Sequence, residues 1–179
     1  MKRMMSLLTC LAALLLAACT TTSSISNGGV LDAGAKWALL PMTNHTDTPQ
    51  AALSAEAIAE HQLRLRGVAN IVRYPATLSR DTLFEPSERR VLDEAQKWAR
   101  EQGARYGVQG AVEEWRYKVG IDGEPAVGVT LQVVDLTSGT VVWSASGAKS
   151  GWSREALSQV ANKLMDSLLG GVPTSAAHP

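Results

Sequence analysis

The sequence predicts one α/β domain, a mixed sheet flanked by helices in the order β-α-β-α-β-β-β-α. Three observations carry that prediction. An amphipathic stretch at 51–66 separates the first two strand-like runs, as a crossover connection does. Hairpin turn residues join three later strand-like runs. A further stretch at helical spacing, 153–169, follows the last of them.

The chain opens with Met1-Lys2-Arg3, a nearly pure apolar run at 7–16, and Ala17-Ala18 leading into Cys19. A positive start, a short apolar core and a small-residue cleavage site are the layout of a secretory signal peptide at 1–18. The cysteine at the cleavage point is the lipidation site of a bacterial lipoprotein. A transmembrane helix needs about 20 apolar residues, and Thr20-Thr21-Thr22 interrupts the run too early. Thr20 stands where lipoproteins retained in the inner membrane carry Asp, which favours the periplasmic face of the outer membrane.

Loss of the signal leaves about 160 residues, room for one domain with its own core. The chain has 17 Lys+Arg and 17 Asp+Glu; without Lys2 and Arg3 the balance is 15 against 17, a formal charge of −2. That balance argues against a nucleic-acid binder, whose footprint is a basic face. Cys10 leaves with the signal and Cys19 carries lipid, so no thiol remains for a disulfide, metal or nucleophile.

Residues 19–35 are rich in Thr, Ser and Gly and read as a flexible lipidated tether. The domain spans 36–170. It starts with the short apolar run at 37–41, a strand stopped by Pro41. A polar loop at 44–49 leads to the helix at 51–66, with Ala51, Ala55, Ile58, Ala59 and Leu65 on one side. Glu56, Glu60, His61 and Arg64 lie on the other, and Gly67 ends it. Residues 68–74 form a strand closed by Pro75. Ser87 caps a second helix with Val91, Leu92, Ala95, Trp98 and Ala99 as its stripe and Gly103 as its stop.

Strands are predicted at 106–119, 126–136 and 140–148. In the first, Val108 and Val112 occupy even positions but Trp115 and Tyr117 odd ones, so a bulge near Glu113-Glu114 is expected. In the last helix Leu157, Val160, Ala161, Leu164 and Leu168 form the stripe. Residues 171–179 read as a disordered tail.

Enzyme signatures are missing from the sequence, which points to a protein with no catalytic residues, no cofactor and no metal. His45, His61 and His178 lack metal-ligand spacing. His61 sits on a polar helix face, and His45-Thr46-Asp47 lies in a polar loop. There is no dinucleotide or phosphate loop and no nucleophile elbow. Glu113 and Glu114, as strand neighbours, are expected to point to opposite faces.

Trp37, Trp98, Trp115 and Trp143 fall inside apolar patterns and read as core. Trp152 follows Gly151 and lies between Lys149 and Arg154. An aromatic among cations suits a membrane interface; a staple of the helix start against the core is the alternative. The turn at 120–125 carries Asp122 and Glu124. A solvated hairpin tip is the ordinary reading, whereas an acid repeated around an oligomer makes a charged ring.

The lipobox, the opening strand 37–41, the helix at 51–67 leading into Val72-Arg73-Tyr74-Pro75, and the Gly151-Trp152-Ser153 junction together resemble the PelC family. These are outer-membrane lipoproteins of an exopolysaccharide export apparatus. The resemblance implies a fold similar to CsgG and to the anticodon-binding-like domain of TolB. It implies a dodecameric ring beneath the outer membrane that guides a cationic amino-sugar exopolysaccharide to a barrel partner similar to PelB. Cys19 matches the lipidation site and Trp152, flanked by Lys149 and Arg154, the membrane-facing tryptophan; Asp122, with Glu124, is the candidate for the acidic ring. A different class of function, a lipoprotein module activating a periplasmic peptidoglycan synthase, needs a long disordered reach. About 16 residues of tether span only a few tens of ångströms. A barrel-forming reading needs spare alternating strands of about 10 residues, which the sequence lacks.

Overall fold

The computed structural model describes residues 20–26, 29–75, 88–118 and 123–175. Its strands are β1 (Thr20–Ser26), β2 (Trp37–Asn44), β3 (Ile71–Arg73), β4 (Tyr106–Tyr117), β5 (Pro125–Asp135) and β6 (Thr140–Ser150). Its helices are α1 (Ala51–Leu65), α2 (Glu88–Glu101) and α3 (Leu157–Leu169). One sheet runs in the order β1-β6-β5-β4-β2-β3. β2 is parallel to β3 and β4, and the remaining pairs are antiparallel. The mixed α/β sheet with flanking helices is therefore as predicted, with β1 added at its edge.

Two crossovers in opposite directions explain the layers. The chain steps from β2 to β3 through α1, then back past β2 to β4 through α2. Right-handed crossovers of opposite sense place their helices on opposite faces. α1 and α3 cover one face over Trp37, Leu39, Val108, Val129, Leu131 and Trp143. α2 covers a smaller area on the other, over Ala38, Leu40, Tyr74 and Leu136. Along β5, Val127, Val129, Leu131 and Val133 face the larger core, as the alternation required.

The sheet face not covered by α2 is made of short or polar side chains. There Thr130 hydrogen-bonds Ser146 (3.0 Å), and a Gln96–Gln109–Gln132 amide chain (2.9 and 3.1 Å) links α2 to β4 and β5. Gly110 is required by close approach: a Cβ there would lie 2.1 Å from the Thr130 carbonyl oxygen.

Several expectations need correction. Residues 20–26 are not a flexible tether but a strand, paired over its full length with β6. Thr and Ile are strand formers, and β6 would otherwise end the sheet with an open row of backbone groups. Residues 31–33 of the tether are also docked. Leu31 and Ala33 are buried. The Leu31 N–H donates to the Pro173 carbonyl (2.6 Å), and the Ser175 N–H donates to the Leu31 carbonyl (2.8 Å). The tail is thus ordered through Ser175.

Pro41 does not stop β2. It falls where pairing with β3 has ended and where the register with β4 breaks between Leu39 and Met42, so its missing N–H costs no ladder bond. β3 is only three residues long, shorter than the predicted 68–74.

On α1, Leu63 is buried and Leu65 is 67% exposed. Glu56, expected on the solvated face, is 6% exposed. Its Oε1 accepts the Met42 N–H (3.0 Å) and its Oε2 accepts from Arg73 Nη2 (2.8 Å). One carboxylate thus satisfies the β2 irregularity and ties α1 to β3. α3 begins at Leu157, four residues later than predicted. Cys19, Ser87, Asp122 and His178 lie outside the described residues.

Candidate functional site

The candidate site is the end of the sheet where β4 and β6 finish and β1 and β5 begin. Gly151 follows β6, and its N–H donates to the Pro125 carbonyl (2.8 Å). A Cβ on Gly151 would lie 2.5 Å from Val160 Cγ2 and 2.6 Å from Glu155 Oε2. Only glycine lets the chain pass so close to α3 before turning outward.

The turn that follows is held from both sides. The Glu155 N–H donates to the Trp152 carbonyl (3.0 Å), and the Trp152 N–H donates to Glu155 Oε2 (3.1 Å). Glu155 Oε1 accepts from Lys163 Nζ (2.7 Å), which fastens the turn to α3. The Lys163 hydrogen bond, and then that of the Trp152 N–H, hold the Glu155 carboxyl below its ordinary pKa. Arg154 completes the turn at φ 72°, a left-handed conformation that non-glycine residues rarely adopt.

This turn carries the Trp152 side chain out of the core, 58% exposed, and a helix staple buried against the core is not what forms. Tyr117, at the end of β4, is 51% exposed. Its hydroxyl oxygen accepts the Leu157 N–H (3.1 Å) at the first turn of α3, where Ala156 supplies no capping side chain. Lys118 Nζ donates to Ser150 Oγ (2.6 Å). Arg154 is exposed and Lys149 half-buried.

The register of β1 brings in the chain entry. Thr20 is the Cα partner of Lys149. The residue directly after Cys19 therefore stands at the same end of the sheet as Trp152. Glu124 is exposed at this end too, and its carbonyl accepts the Lys118 N–H (2.7 Å), closing the β4–β5 hairpin. Sequence reasoning singled out the cluster of Trp152, Lys149 and Arg154 and, separately, Glu124; folding brings Glu124 to the same end of the sheet. Tyr117 and Lys118 were not singled out, although an aromatic-cation pair before a turn is the same signal as Lys149 to Arg154.

A second group was misread. β4 bulges between Val112 and Glu114, where the change of parity predicted it. The bulge also overturns the expectation that Glu113 and Glu114 point to opposite faces. A Cβ on Gly128 would meet Glu114 Cβ at 3.4 Å and Glu113 Cβ at 3.7 Å, because two bulged residues oppose one partner residue. Both line an open cleft of about 460 Å³ with His45, Asp47 and Arg116. His45 Nδ1 lies 2.9 Å from Glu113 Oε2, and Glu114 pairs with Arg116 (3.0 Å). Among the described residues, no group of three His, Cys, Asp or Glu side chains is placed to hold a metal ion. No described helix is long and apolar enough to cross a membrane.

No family model and no curated protein matches the chain. Among solved structures, the PelC dodecamer from Paraburkholderia phytofirmans matches with 43% identity and a TM-score of 0.75, over 88% of this chain and 99% of that one. A second PelC dodecamer from the same organism matches with the same identity and TM-score, over 88% and 100%. Lipoprotein GNA1162 from Neisseria meningitidis, at 17% identity and a TM-score of 0.54, covers 74% of this chain and 94% of that one. That last likeness is one of fold.

Proposed function

Because this chain belongs to the PelC family, we propose that it is a non-enzymatic, lipid-anchored ring subunit on the periplasmic face of the outer membrane. In this reading the ring guides a cationic amino-sugar exopolysaccharide toward a PelB-like barrel during biofilm matrix formation.

The observation that carries the reading is the pairing of Thr20 with Lys149. With β1 docked, only Cys19 stands between a lipid and the sheet, so a lipid on Cys19 enters the bilayer beside Trp152. One acyl-type anchor gives marginal membrane binding. An exposed Trp152, with Lys149 and Arg154 beside it, adds an aromatic and cationic contact at the headgroup level. Repetition around a ring multiplies that contact and fixes which end of every subunit faces the membrane. The docked strand also removes the reach that an activator working across the cell wall needs.

Electrostatics supplies the guidance. Glu124 adjoins Lys118 at the start of β5 and Asp122 precedes it by two residues in the sequence; in the proposed ring their carboxylates form a collar close to the membrane. A polycation is concentrated by such a collar without any bond being made or broken. The test is secretion of the polymer by cells whose only copy carries Asp122→Asn and Glu124→Gln. Reduced secretion with normal ring assembly supports the reading; unchanged secretion removes the collar from it.

A further inference from the structure

We infer that β1 is a releasable strap: it stays off β6 while Cys19 is processed at the membrane, and docks afterwards to draw the domain against the bilayer. The inference rests on Cys19 carrying the lipid anchor proposed above.

β1 is the last strand of the sheet and pairs with β6 on one side. Residues 21–26 are all exposed, Ile25 at 66%. A gap of about 80 Å³ lies between Thr22, Ser23 and Ser24 and the Leu168 side of α3. Docking therefore gains backbone hydrogen bonds and little side-chain burial. Fixing the backbone of one residue costs about as much as one such bond contributes, so the strand is held with little surplus. Elements of this kind open locally at far less cost than the core. The sequence nevertheless specifies the docking. A Cβ on Gly147 would lie 2.8 Å from the Thr21 carbonyl oxygen, so glycine is what lets β1 approach.

The strap has a fixed end. Leu31 and Ala33 are buried, the Ala33 N–H donates to Ser175 Oγ (3.3 Å), and Trp37 Nε1 donates to the Asp32 carbonyl (3.0 Å). Opening stops there and frees the eleven residues 20–30, which reach at most about 36–40 Å. With β1 docked the reach disappears. The Ala18–Cys19 bond is then separated by Cys19 alone, about 4 Å of chain, from Thr20, which pairs with Lys149.

Cleavage of that bond adds water across it, leaving a carboxylate on Ala18 and an amine on Cys19. The peptidase has to surround the bond, and a single helix layer of an enzyme is already about 10 Å thick. The end of the sheet, with the Trp152 turn beside it, occupies the same space. β1 is therefore off β6 when the bond is cut, and its later docking shortens the tether from eleven residues to none.

The test uses the full chain in cells, carrying Cys10→Ser, Ser23→Cys and Ser146→Cys. Ser23 and Ser146 are Cα partners, and facing residues of an antiparallel pair stand about 4.5–5.5 Å apart, within disulfide range. Oxidation of this pair is read by peptide mass and fatty-acid incorporation is followed in parallel. The pair is expected to oxidise in the cleaved protein. It is expected to stay reduced in precursor held uncleaved by a signal-peptidase inhibitor, with the domain resistant to trypsin. Equal oxidation of precursor and cleaved protein overturns the inference, and so does a cleaved protein that stays reduced. A chain that takes up no labelled fatty acid instead overturns the lipid anchor. A second arm needs no substitution. In the lipoprotein extracted from membranes, amides of residues 21–26 are expected to exchange with deuterium at least about 100-fold faster than those of residues 127–133 in β5. Equal protection makes β1 part of the core and overturns the inference.

Discussion

Trp152→Ala separates a membrane contact from a structural one. An aromatic side chain can bury about 150–250 Å², and Trp152 is 58% exposed. Roughly 90–145 Å² is therefore available to the bilayer. At about 25 cal/mol per Å², full insertion is worth ~2–3.5 kcal/mol per subunit. An interfacial ring sits half in the headgroups, so about 1–2 kcal/mol is expected, or a 5–30-fold change for a single subunit. Stability should change much less. A tryptophan truncated inside a core costs about 3–5 kcal/mol, whereas this one is 58% exposed, and a loss of about 1 kcal/mol is expected. For a domain of this size that shifts Tm by about 2–4 °C. The assay is the rate at which the lipidated chain leaves phosphatidylethanolamine–phosphatidylglycerol vesicles, alongside a thermal melt. Faster departure with a nearly unchanged melt is the predicted pair. A melt lowered by more than about 10 °C, or an unchanged departure rate, refutes the reasoning.

Glu56→Ala removes the acceptor shared by the Met42 N–H and Arg73. A buried charged hydrogen bond is lost and a buried donor is left unpaired, so a destabilisation of ~2–4 kcal/mol is expected in thermal or urea unfolding; Glu56→Gln should cost less than Glu56→Ala. The Glu155 carboxyl has a lowered pKa. Its contribution to stability is therefore complete above the ordinary glutamate value and disappears as the pH falls through the lowered folded value. The difference in Tm between wild type and Glu155→Gln should be constant near neutrality and vanish in acid; a constant difference down to acid pH contradicts the assignment. Asp122→Asn alone should reduce polymer at the cell surface without lowering the mass of the particle, read by lectin staining and light scattering.

The layered core was legible because its signals are local. β5 shows its alternation, α2 and α3 their stripes, and the parity change between Val112 and Trp115 marks the bulge. What escaped depends on contacts distant in sequence. Nothing in Thr20–Ser26 alternates between apolar and polar, and the segment becomes a strand because β6 offers an edge. Glu56 is buried because Arg73 and the Met42 N–H, brought in by β3 and β2, satisfy it. The bulge was foreseen, but its effect of turning Glu113 and Glu114 toward one cleft needed the position of Gly128 on the partner strand. The candidate site behaves the same way. Trp152, Lys149 and Arg154 are visible as a local cluster, while their position beside the chain entry follows only from the β1–β6 register.

The most direct test of the account is the mass of the lipoprotein extracted from membranes in mild detergent and measured by light scattering across a range of concentrations. The account predicts a closed particle of about twelve subunits, as in the related dodecamers. A monomer at every concentration, in detergent and in membranes alike, would contradict it.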